Sequence, residues 1–163
     1  MSFIKVTRNY LVPGIEGTPE TLSELLKDLP DEAAFWNFRP DPNRFTPREV
    51  VAHLAEWDAI FDARIRRTLA EHQPMLPDVD EGQLALDHDY AHAAPLQQLR
   101  LFRERRDELT AFLRDLNEED FQRVGIREPL GPLSIETQTA LILGHDAYHL
   151  RQTAQYLIAY RAQ

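Results

Sequence analysis

The chain has 163 residues, 43% of them hydrophobic and 28% charged, enough apolar mass for one buried core without crosslinks. Its net charge of −9 leaves no overall attraction to nucleic acid or anionic lipid. Cysteine is absent, which excludes a disulfide framework, a thiolate zinc site, an iron–sulfur cluster and a cysteine nucleophile. No stretch reaches the roughly 18–20 apolar residues of a membrane span. Met1 to Val6 lacks the apolar run and cleavage site of a signal peptide, so the expectation is a single cytoplasmic domain over residues 1–163.

Four segments carry helical periodicity. The first runs from Pro19 to Leu29, with Thr18 as cap and a stripe of Leu22, Leu25, Leu26 and Leu29. The second runs from Pro47 to Ala70; Thr46 and Glu49 form a capping box, and Val50, Leu54, Trp57, Phe61 and Ile65 make its apolar face. Between it and the third helix, residues 71–95 are rich in Pro, Gly, Asp and His; nothing alternates there, so no strand pair is expected. The third helix, Leu96 to Leu116, carries Leu99, Phe102, Leu109, Phe112, Leu113 and Leu116; charge crowds its other faces from Arg103 to Glu108, and the basic run from Arg100 to Arg106, interleaved with Glu104, reads as a solvated face rather than a nucleic-acid surface. The fourth, Ile135 to Tyr160, takes Ser134 as cap. The fold expected is an all-α four-helix bundle with a long crossover between the second and third helices, a connection that lets those two run parallel.

The chemistry rests on histidine. On the fourth helix, at 100° per residue, Gln138, Leu141, Ile142, His149, Gln152 and Tyr156 all fall within about 60° of His145. A face turned inward would ordinarily avoid imidazoles and amides, because each needs a partner once out of water. His145 and His149 stand one turn apart and can aim nitrogens at a common cation. A third ligand must come from another helix, and His53, beside Val50, Trp57 and Ile60 on the second, leans inward. Such a neutral three-histidine site with open positions suits zinc, nickel or iron(II). A single core histidine is more often a packed, hydrogen-bonded residue; the pairing and the third histidine tip the balance toward metal.

The spacing His145-Asp146-Ala147-Tyr148-His149 also matches a zincin protease helix, but Asp146 stands where that motif needs Glu. After His149 no further His or Glu precedes Gln163, so the protease reading fails. His72, His88 and His92 lie among loop residues and read as solvated. Arg64, Arg66 and Arg67 are candidates for attracting an anionic group near the site's mouth. Trp57 and Phe61 are core residues first, with a pocket wall as their functional option; Trp57 and Gln152 are the candidates against the substrate.

At these residues the sequence resembles the DinB/YfiT-like superfamily. Arg39-Pro40, with Phe45-Thr46-Pro47-Arg48-Glu49-Val50-Val51-Ala52-His53-Leu54, resembles the segment that leads into that family's second helix. Gly144 to Gln152, with two histidines followed by Gln, resembles its fourth-helix signature. Phe45 stands where the family usually has Trp, a packing change. The resemblance covers nearly the whole chain. It implies a four-helix bundle and a divalent-metal site on His53, His145 and His149, in a family that includes thiol S-transferases, a thiol-dependent isomerase and the iron-binding part of ergothioneine-forming enzymes.

The leading expectation is a metal-dependent enzyme that transfers a small-molecule thiol to an electrophile, with no nucleic-acid or membrane partner and with a homodimer as its assembly. The alternatives are a metal-dependent hydrolase, with Asp58 or Asp146 as candidate base, and a non-catalytic metal-binding bundle serving a stress response.

Overall fold

A computed structural model describes residues 3–128 and 130–163. The chain opens with α1 (Phe3–Val6), a π turn (Thr7–Leu11) and α2 (Val12–Glu16), then α3 (Thr18–Leu26). A 3-10 turn (Ala34–Asn37) precedes α4 (Pro47–Ala70). The crossover holds β1 (Met75–Leu76), α5 (Glu81–Asp87) and a second 3-10 turn (Tyr90–His92). It leads into α6 (Pro95–Asp115) and α7 (Glu118–Phe121), a hairpin of β2 (Val124–Arg127) and β3 (Gly131–Ser134), and α8 (Ile135–Arg161).

The principal helices α3, α4, α6 and α8 form the bundle. Arg48 at the start of α4 donates to Ala93 O just before α6, and further along Arg105 donates to Ala55 O. Phe61 and Ile65 then share a core with Leu109 and Leu113, so α4 and α6 run in the same direction. Helix α8 runs the other way: His145 faces His53 near the start of α4, while Gln138 bonds Thr68 near its end. One apolar cluster centres on Leu22, Trp36, Leu54, Phe102 and Leu157, the other on Ile15, Trp57, Ile65, Leu109 and Ile142.

The capping box of α4 is complete: Thr46 Oγ1 accepts from Glu49 N, and Glu49 Oε2 accepts from Thr46 N at 2.7 Å. Ser134 caps α8 by accepting from Thr137 N. Thr18 does not cap α3. The chain is already helical before it, so its hydroxyl meets the carbonyl of Gly14 rather than a free amide; Gly17 is the N-cap, and the helix stops at Leu26.

The crossover departs from the strand-free expectation. Met75 and Leu76 pair in parallel with Ile126 and Arg127, and β2 pairs antiparallel with β3, giving a three-stranded sheet at one end of the bundle. Gly125 lets that sheet close on α4, because a Cβ there would lie 2.6 Å from Thr68 Oγ1 and 2.7 Å from Leu76 Cδ1. Gly131 takes φ +81 at the start of β3, where an L side chain is disfavoured. Among the described residues, no helix is long and apolar enough to cross a membrane.

Candidate metal centre

His53 projects from the second turn of α4, and His145 and His149 from successive turns of α8. The structure brings the three together: one ring nitrogen from each lies within 4.8 Å of the other two. Ring centroids are 4.6 Å apart for His145 and His149, 4.8 Å for His53 and His149, and 5.0 Å for His53 and His145. A tetrahedral ion with bonds of about 2.0–2.1 Å needs donor nitrogens roughly 3.3 Å apart, within reach of small ring rotations. His72, His88 and His92 stay outside the cluster; His88 approaches Glu56 at 3.4 Å, and His92 bonds Asp89 at 2.7 Å.

The donor set fits a cation. His53 Nε2 and His145 Nε2 face each other at 2.9 Å, two nitrogens converging on one point. His149 Nδ1 lies 3.0 Å from Gln152 Oε1. The Gln152 amide nitrogen donates to Tyr156 Oη and Phe45 O, which fixes the flip of the amide. Its oxygen therefore accepts, Nδ1 of His149 carries the hydrogen, and Nε2 presents its lone pair. Burial, reinforced by His149 and His145, pushes the His53 pKa down to about 2. Burial and the His145 ring bring His149 down to about 3. Both rings are neutral at physiological pH, the form a metal requires.

Behind His145 lies a buried charge network. Arg106, fully enclosed, donates to Asp58 at 2.9 and 2.7 Å, to both oxygens of Asp146, and to Ile15 O. Burial raises Asp58 to about 6 against the pull of Arg106. Burial works the same way on Asp146, but hydrogen bonding to His145 and the charge of Arg106 outweigh it and hold this carboxyl below its usual range. With both acids ionised, one guanidinium faces two carboxylates, leaving one net negative charge beside the histidine cluster. Asp146 Oδ1 stands 3.7 Å from His145 Nδ1, which is otherwise unpartnered and buried.

An open cleft of about 520 Å³ lies over His145 and His149, with Arg44, Phe45, Tyr148 and Gln152 along it. Gln152 thus reaches the cleft while bracing His149. Trp57 does not line it: the indole is buried beneath the imidazoles, 5.6 Å from His53 and 5.7 Å from His145, with Phe61 alongside at 5.3 Å. Arg64 is buried, donates to Pro77 O and stacks on Trp57, whereas Arg66 pairs with Asp62 and Arg67 with Glu71. None of these three lines the cleft. The arginine that does is Arg44, which the sequence reading passed over; its position two residues before the Thr46 cap, beside Phe45, was the available signal. Asp58 and Asp146, expected as possible bases, are tied to Arg106 instead.

A family model described as the DinB superfamily matches residues 15–153. The chain belongs to the DinB superfamily. Two relatives bear the name "Putative metal-dependent hydrolase". The Oceanobacillus iheyensis protein is 27% identical over 143 residues, 87% of this DinB-superfamily chain and 81% of the relative. YfiT of Bacillus subtilis is 26% identical over 151 residues, 91% and 83% of the two chains. The solved structure of YfiT, described as a probable metal-dependent hydrolase with an unusual four-helix bundle topology, superposes with a TM-score of 0.86. It covers 96% of this chain and 87% of YfiT at 23% identity, a likeness that shows the DinB-type four-helix fold.

Proposed function

We propose that the chain is a metal-dependent enzyme in which His53, His145 and His149 hold a divalent ion, zinc, nickel or iron(II), and that it transfers a small thiol to an electrophile. One observation carries this reading: three imidazoles, two of them kept neutral by burial, converge under an open cleft, and Asp146, the carboxylate within 4 Å of His145, is bound to Arg106. Such an ion lowers the pKa of a protic group entering its open position, and a thiol there needs no separate base.

The chain's own residues supply the rest. Gln152 fixes the tautomer of His149. Asp146 lies behind His145 and biases its Nδ1 toward carrying a hydrogen. Trp57 and Phe61 back the imidazoles with apolar rings, which keeps water from the rear of the site and stiffens ring orientation. The cleft over His145 and His149 is large enough to admit a small molecule.

Thiol consumption with a panel of electrophiles should depend on added metal and disappear in His149→Ala. Turnover that survives this change, or is absent from metal-loaded protein, overturns the reading. The names of the two relatives favour a second one, metal-dependent hydrolysis. Hydrolysis of an ester and amide panel without thiol, abolished by the same substitution, would select it.

A further inference from the structure

We infer that Arg44 forms an anion subsite beside the candidate metal centre, so that the small-molecule substrate carries a carboxylate or a comparable anion. The inference rests on the metal-centre reading above and names the class of molecule that the cleft recognises.

Arg44 belongs to the short segment leading into α4, where its backbone is held in place: its N–H donates to Asp41 O, and its carbonyl accepts from Arg39 Nη1 at 3.0 Å. Its side chain is held as well, but by neutral groups. Nη2 donates to Tyr148 Oη at 2.8 Å, and the guanidinium carbon lies 5.3 Å from the ring centre of Tyr148 and 5.9 Å from that of Tyr156. Among the described residues no carboxylate comes within ion-pair distance of it, whereas Arg39, Arg66, Arg67, Arg106 and Arg114 each hold one.

The result is a half-buried cation with a fixed direction and an unused charge, and Nε and Nη1 have no partner among the described residues. A planar fork of this kind matches a carboxylate with two parallel hydrogen bonds. Side-chain entropy, the usual cost of recruiting a surface arginine, is largely met in advance by the two tyrosines. Arg44 also shares its cleft with His145 and His149, which places a bound anion beside the imidazoles. Glu81 enters the same cleft from α5 without reaching Arg44. An anionic group is therefore drawn to the Tyr148 end, where it would anchor a substrate whose reactive end lies over the histidines.

The test uses the full chain loaded with cobalt(II), whose visible absorption bands report both ion binding and entry of a ligand. Probes are mercaptoacetate, 3-mercaptopropionate and 4-mercaptobutyrate, each beside the alcohol that replaces its carboxylate. At neutral pH at least one acid should bind about tenfold or more tightly than its alcohol, equivalent to about 1.4 kcal/mol. Arg44→Gln should remove that advantage and leave both the cobalt bands and alcohol binding unchanged; Arg44→Lys, which keeps charge but not the fork, should restore part of it. Intact bands with the same acid-to-alcohol ratio in wild type and Arg44→Gln overturn the subsite alone. Absent bands, or bands that no thiol perturbs, overturn the underlying reading and the subsite with it.

Discussion

Asp146 stands between two neighbours with different demands: Arg106 needs its charge, and His145 Nδ1 needs an acceptor. Asp146→Asn should therefore weaken metal binding by about 10–100-fold, as removal of a partner behind a ligand usually does. Chelator competition measures it, with Asp58→Asn as the comparison, since Asp58 holds the opposite side of Arg106 and touches no imidazole. Equal losses in the two variants would mean that Asp146 acts only through the fold. Arg106→Met would leave two enclosed carboxylates facing one another and should cost about 3–5 kcal/mol in urea unfolding. The histidines were legible because spacing on two amphipathic helices is visible in one dimension. Arg106 was not, because it lies in the charged run from Arg103 to Glu108 and charge usually marks solvent. Yet Leu99, Phe102, Arg106, Leu109 and Leu113 recur at three- and four-residue steps, all buried, so the phase of the helix held the answer.

Elements differ in how much of themselves they show. The bounds of α4 follow from Thr46, Pro47 and Glu49, whose capping chemistry is local, and the sequence reading agrees with the structure there at both ends. Thr46→Ala should cost about 1 kcal/mol by removing one acceptor from the first turn, visible as a lower thermal midpoint. The sheet was illegible for a physical reason: β1 has two residues, β2 and β3 four each, too short to display alternation, and β1 finds its partner β2 about fifty residues away. Gly125 is its keystone. Gly125→Ala pushes a methyl group into Thr68 and Leu76 and should destabilise the chain by about 1–3 kcal/mol in urea unfolding. Thr68 also accepts from Gln138, so the same change disturbs α8.

At the scale of the whole molecule, the buried imidazoles make stability depend on pH. Their folded pKa values, about 2 for His53 and about 3 for His149, lie below the unfolded value of 6.5, so below pH 6.5 the unfolded chain binds more protons. Their contribution is complete above that pH and is lost as pH falls. Asp58, raised to about 6 from 3.8, acts in the opposite sense between those values and offsets one of the two histidines. Urea unfolding of the metal-stripped chain should therefore weaken by about 1.4 kcal/mol per pH unit on acidification from pH 6 toward pH 4, and less steeply in His149→Ala. A pH-independent unfolding free energy over this range would contradict neutral burial of the two rings. The crossover carries a different consequence. His53 precedes it and His145 and His149 follow it, while exposed α5 at its middle contributes no ligand and no buried residue. A single cut within Glu81–Asp87 would distribute the three imidazoles over two peptides, and the ion would then act as a clasp between separate molecules. The two halves should associate more tightly with zinc or cobalt than with chelator, turning a bound ion into the switch of a split protein.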